Sequence, residues 1–99
     1  MLDLYLIHDT QNMSSKGLAL ERVGGIKDEL FFQLQQEGII EPWFDYYSKF
    51  RWQSELVKRM VIKLQKRFSV APLPKGYELF VSVLNKAARS NSGLLAIED

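Results

Sequence analysis

His8, Asp9 and Thr10 close an alternating apolar stretch, LDLYLIH, and are the first residues in the chain whose types could do chemistry. A histidine beside a carboxylate can serve as a tuned base. His8 is the only histidine, however, which excludes a His–His metal site and a two-histidine acid–base pair within one chain. Adjacent strand residues point to opposite faces, and no nucleophile accompanies the pair in sequence. A hydrogen-bonding structural role is the expectation for His8.

Other candidates are weaker. Ser14 and Ser15 precede Lys16 at a spacing that matches no serine–lysine mechanism, so a helix-capping role is expected for them. RVGGIKDE is glycine-rich and could offer free N–H groups to an anion, but it lacks both the phosphate-loop spacing and the dinucleotide fingerprint. Asp28–Glu29 and Glu98–Asp99 are carboxylate pairs in polar contexts with no sign of convergence. Cysteine is absent, which removes disulfides, thiolate nucleophiles and thiolate metal sites. No catalytic residue, cofactor or metal ligand is therefore assigned.

What the chain has in excess is aromatic and basic side chains. EPWFDYYSKFRW, residues 41–52, holds Trp43, Phe44, Tyr46, Tyr47, Phe50 and Trp52, half of the twelve aromatics in the sequence. Between Lys49 and Arg67 lie seven bases and a single acid, Glu55, while the rest of the chain carries six bases and eleven acids. A bipolar charge distribution can steer the molecule toward an acidic partner or pair its own halves. The overall net charge of +1 and pI near 8.0 are low for a nucleic-acid module.

Periodicity indicates the elements that carry these residues. Residues 2–8 read as a strand, followed by a polar loop with Gly17 as its joint. LALERVGG reads as a short helix broken by Gly24 and Gly25. Residues 25–38 form a helix in which Ile26, Leu30, Phe31 and Leu34 make one stripe, with Gly38 at its end and Phe32 off the stripe. Apolar positions at 43, 46, 47, 50, 57, 60, 61, 64 and 68 keep a three-and-four rhythm, predicting one long helix over about residues 42–67 with Pro42 at its first position and a bend or break near residues 50–53 left open. Pro72 and Pro74 end it. KGYELFVSVLNKAARSN is a further helix with a wide apolar face. Gly93 marks a left-handed turn before LLAIED, a closing strand that pairs with residues 2–7, parallel pairing being favoured.

On that long helix Trp43, Tyr47 and Phe50 share the side of Val57, Met60, Val61 and Leu64, and are assigned to the core, where each ring can bury ~150–250 Å². Trp52 falls almost opposite. The fold class expected is a single α+β domain over residues 1–99, mainly helical, with three to four helices packed on a small two-stranded sheet made by the N- and C-terminal segments.

By elimination the leading reading is a non-catalytic protein-binding module of inhibitor, immunity-type or adaptor character. It would recognise an acidic protein through a basic and aromatic helix face made by Tyr46, Arg51, Trp52, Lys58, Arg59, Lys63 and Lys66, with Ile62 among the bases. A nucleic-acid-associated regulator using the basic helix 51–67 is the alternative. A small enzyme centred on His8 and Asp9 comes third. No apolar run is long enough for a membrane span, and the acids of MLDLYLIHD do not suit a signal peptide, so a cytoplasmic protein is expected. Homo-oligomerisation is left open.

Overall fold

The computed structural model describes residues 1–12, 20–69 and 72–98. Their order is β1 (Leu2–His8), β2 (Arg22–Ile26), α1 (Asp28–Gln36), β3 (Phe50–Trp52), α2 (Ser54–Arg67), α3 (Tyr77–Arg89) and β4 (Ser92–Glu98). The four strands form one antiparallel sheet in the order β2-β1-β4-β3. This corrects the expectation of a mainly helical domain on a two-stranded sheet. The terminal strands do pair, from Leu2 opposite Glu98 to His8 opposite Ser92, but they run antiparallel. They occupy the centre of the sheet, and each accepts a second neighbour on its outer edge.

The register explains how the sheet meets its helices. Phe50, Ala96, Leu4 and Gly24 stand in one row across the four strands, so large and small side chains alternate. A Cβ on Gly24 would come within 2.6 Å of a Val83 methyl, so the missing side chain lets α3 cross close to the sheet. Gly24 and Gly25 therefore belong to a strand that α3 overlies, and the predicted short helix over 18–25 is corrected to β2 for residues 22 onward; residues 18 and 19, with Ser14, Ser15, Lys16 and Gly17, lie outside the described residues. One continuous core joins Leu2, Leu4, Leu94 and Ala96 to the buried stripes of all three helices, including Phe31, Leu34, Val57, Met60, Phe80 and Leu84.

Each helix has an identifiable stop or start. α1 ends in a Schellman motif: Gly38 takes φ +76°, its N–H donates to Gln35 O, and the Ile39 N–H donates to Leu34 O at 2.9 Å. α2 is capped from elsewhere in the chain. Its preceding residue, Gln53, makes no cap, and the Asp9 carboxylate instead accepts the Ser54 N–H at 2.9 Å and the Ser54 hydroxyl. α3 begins after Gly76 at φ +94°, whose N–H donates to the Glu78 carboxylate. The left-handed turn before β4 falls on Asn91 (φ 51°), not on Gly93 as predicted. Asparagine tolerates that region better than most residues.

The predicted long helix over residues 42–67 does not form. Residues 41–49 make two tight turns, with Phe44 N–H bonded to Glu41 O and Ser48 N–H to Asp45 O. The Asp45 carboxylate also accepts the Tyr47 N–H at 2.9 Å and the Ser48 hydroxyl at 3.1 Å, a local bonding pattern that competes directly with helical hydrogen bonds. Residues 50–52 then pair with β4. The helical rhythm was a coincidence. Phe44, Tyr46, Phe50 and Trp52 all turn inward, and the odd-numbered Trp43, Asp45, Tyr47 and Lys49 are exposed.

The ends of the three helices meet at one polar junction. Glu37 at the C-cap of α1 accepts Nε of Arg67, the last residue of α2, at 2.8 Å, and accepts the hydroxyl of Tyr77, the first residue of α3. Burial alone would raise the Glu37 carboxyl, but the hydrogen bonds from Tyr77 and Arg67 outweigh it and the net shift is downward. The Ser54 hydroxyl and N–H likewise hold Asp9 below its usual value. Folded carboxyls that release protons more readily than unfolded ones contribute stability that is complete above the ordinary carboxylate range of about 4. That contribution drains away as pH falls through the lowered folded values. Burial, then donation to Glu37, drives the Tyr77 hydroxyl far above the tyrosine range, so stability also declines above about pH 10, where the unfolded chain ionises first. Denaturant midpoints recorded against pH are expected to form a plateau with both limbs. Glu37→Gln should make the acid limb shallower; an unchanged limb would remove Glu37 from the account.

Candidate partner-binding surface

The structure exchanges the two tryptophans. Trp52, expected on a recognition face, is 0% exposed, with its ring 5.4 Å from that of Phe50 and edge-on to Phe44 and Phe80. Trp43 and Tyr47, expected in the core, are 70% and 65% exposed. Tyr46 is also buried, its hydroxyl reaching Ile26 O at 3.5 Å, and so is not a contact residue for a partner. Phe50 packs half-buried against the core, in keeping with its assigned structural role. The physical reason is the alternation imposed by the turns and by β3: neighbouring side chains point to opposite sides, so each inward ring leaves an outward one beside it.

Arg51, on the strand face opposite Trp52, is also committed inside the molecule. Its guanidinium donates to Gln11 O and His8 O, both at 2.6 Å, and clamps the turn after β1. His8 is exposed, its Nδ1 lies 2.9 Å from the Thr10 hydroxyl, and its N–H donates to the Gln11 side chain. Asp9 holds the start of α2. HDT thus works as a joint tying β1 to β3 and α2, with the Asp9 carboxylate and the His8 carbonyl oxygen occupied in doing so. Among the described residues, no three histidine or acidic side chains stand close enough together to hold a metal ion.

The remaining bases do share a face. Val57, Met60 and Leu64 bury one side of α2, and Glu55, Arg59, Ile62 and Lys66 recur at four, three and four residues along the opposite side. Ile62 is 50% exposed. Lys58 donates to the Asn91 side chain at 2.9 Å, Lys63 to Gly38 O at 3.2 Å, and Arg67 pairs with Glu37. The side chains of Arg59 and Lys66 make no hydrogen bond or ion pair with any described residue. Of the sequence-derived set, Lys58, Arg59, Lys63 and Lys66 are therefore together on the surface, whereas Tyr46, Arg51 and Trp52 are spent on the fold.

The exposed rings stand on a braced scaffold. Gln35 of α1 donates its amide to both Glu41 O at 3.1 Å and Phe44 O at 2.9 Å, fixing the first turn, and Asp45 fixes the second. Trp43 contacts Phe44, Phe44 contacts Phe50, Phe50 contacts Phe31, and Phe31 contacts Tyr46, against whose ring Tyr47 stands edge-on at 5.0 Å. Phe32, 43% exposed, joins the same network through Phe31 and Tyr46. Lys63 donates to Gly38 O, on the chain that leads into this loop.

No protein-family model, curated protein or solved structure matches the chain. Its function must be read from its own surface. Among the described residues no helix is long and apolar enough to cross a membrane.

Trp43 and Tyr47 were missed as surface residues because their spacing fits a helical stripe. The available signal was FDYYS, in which an aspartate two and three residues before its acceptor-seeking neighbours favours a turn.

Proposed function

We propose that this chain is a non-catalytic cytosolic binding module, of inhibitor, immunity-type or adaptor character, which grips an acidic protein partner. Trp43 and Tyr47 are its anchors, Phe32 widens the apolar contact, and Arg59, Lys66 and the neighbouring bases of α2 supply charge complementarity. The observation that carries this reading is two large rings left mostly in water on turns that Gln35 and Asp45 hold in place. Aromatic and arginine side chains dominate the energetic centres of protein interfaces, and a pre-ordered loop loses little conformational entropy on docking.

Immobilised protein should retain a partner from nuclease-treated lysate of the native source, and the Trp43→Ala/Tyr47→Ala variant should lose it. With the recovered partner, each single substitution is expected to weaken binding by about 2 kcal/mol, close to thirtyfold, while the thermal midpoint stays within a few degrees of the parent. Equal retention by the double variant would sink the proposal. A nucleic-acid ligand is the second reading, favoured by two cations whose side chains have no partner among the described residues and by exposed rings on which bases could stack. It predicts instead that nuclease abolishes retention and that affinity falls with salt at a logarithmic slope of roughly −2, for about two phosphates neutralised.

A further inference from the structure

A separate cleft of about 370 Å³ lies where Met1, the end of β2, one side of α1 and the first turn of α3 come together. Ile26 and Phe80, both buried, and half-buried Leu30 provide apolar walls, and Leu79, 76% exposed, stands at the edge. Two lysines are among the lining residues: Lys27, between β2 and α1, and Lys75, just ahead of α3. Neither side chain makes a hydrogen bond or ion pair with a described residue, and Glu29 is the one acid in the lining. The volume sits at the lower end of the ~300–1,000 Å³ range of small-molecule sites.

This combination restricts the occupant. A wholly apolar molecule would leave both lysines unused, and a small compact anion would leave the apolar walls facing water. A chain or ring of several carbons bearing one carboxylate satisfies both. We propose that this cleft binds a small amphipathic carboxylate of the medium-chain alkanoate class, its tail against Ile26, Leu30 and Phe80 and its head group between Lys27 and Lys75. The site is distinct from the aromatic loop, so its failure leaves the protein-binding proposal untouched.

Decanoate, titrated into the ¹⁵N-labelled full chain below its micelle concentration, tests the assignment. Saturable amide shifts are expected at residues 25–33 and 75–80. The Lys27→Ala/Lys75→Ala variant, whose substituted side chains are exposed, should keep the parent spectrum elsewhere and bind decanoate roughly tenfold more weakly, the combined worth of two partly exposed ion pairs. Decanol should bind parent and variant alike. The proposal is overturned by an absence of saturable shifts, by decanoate binding that ignores the double substitution, or by shifts confined to the uncharged groove between α2 and α3 lined by Val61, Phe68, Val81 and Leu84. It is equally overturned if a tetrapeptide ending in leucine with a free carboxylate occupies the cleft more tightly than decanoate, which would reassign it to a protein terminus.

Discussion

Trp52→Ala should remove about 3–5 kcal/mol of folding stability, the usual cost of deleting a large aromatic side chain from a core. The ring is fully buried among Phe44, Phe50 and Phe80, and it joins β3 to α3. Against a total of about 5–15 kcal/mol for a domain of this size, such a loss removes at least about a fifth of the stability and, at the lower end of that range, nearly all of it. Its thermal midpoint should fall by roughly 12 °C or more, at about 4–8 °C per kcal/mol. Trp52→Phe, which keeps an aromatic ring, should lose less. Trp43→Ala should change stability by no more than about 0.5 kcal/mol, as expected for an exposed site. Fluorescence offers an independent check, since the single tryptophan of the Trp52→Phe variant should be open to iodide quenching and that of Trp43→Phe protected. A stability loss under about 1 kcal/mol for Trp52→Ala would overturn the exchange of roles between the two tryptophans, and the proposed binding surface with it.

Gly93→Ala should be of similar severity, about 3 kcal/mol or more, although it adds only a methyl group. A Cβ at this position would lie 2.1 Å from the Trp52 carbonyl oxygen and 3.1 Å from Gln53 Cα. The obstacle is backbone. No side chain can swing away to make room, so β3 and the start of α2 would have to move off β4, disturbing the strand pairing and the Asp9 cap together. Gly38→Ala is the matched control. Nothing lies within 4 Å of a Cβ there, and the only cost is the left-handed φ of +76°, roughly 1 kcal/mol. Urea midpoints of the two variants should therefore separate widely. If they coincide, β3 does not press on β4 as described.

These two positions also show where reading the chain by pattern succeeds and where it stops. α3, the whole of α2 and the greater part of α1 are legible, because their apolar residues recur at helical spacing, and Gly38 marks the end of α1 by the same local chemistry seen in its Schellman turn. The pairing of the terminal segments is legible too, since an isolated strand has no stability of its own. The cations of α2 fall on the side away from its buried stripe, which follows from the helical period alone.

The aromatic block is the opposite case. Over residues 43–52 the same ring positions satisfy a period of 3.6 and a period of 2, and no local count chooses between them. The choice is made from a distance. Strand β4, more than forty residues further along, offers an edge to Phe50–Trp52; Gln35 holds the turns from α1; and Asp9 starts α2 at Ser54, which cuts the predicted helix short. Gly93 follows the same logic: its identity answers to the carbonyl of Trp52 and not to its own backbone angles. Composition and spacing alone determined that the chain carries many rings and an uneven distribution of charge. Long-range pairing, through strand alternation, decided which rings face the core and which face water.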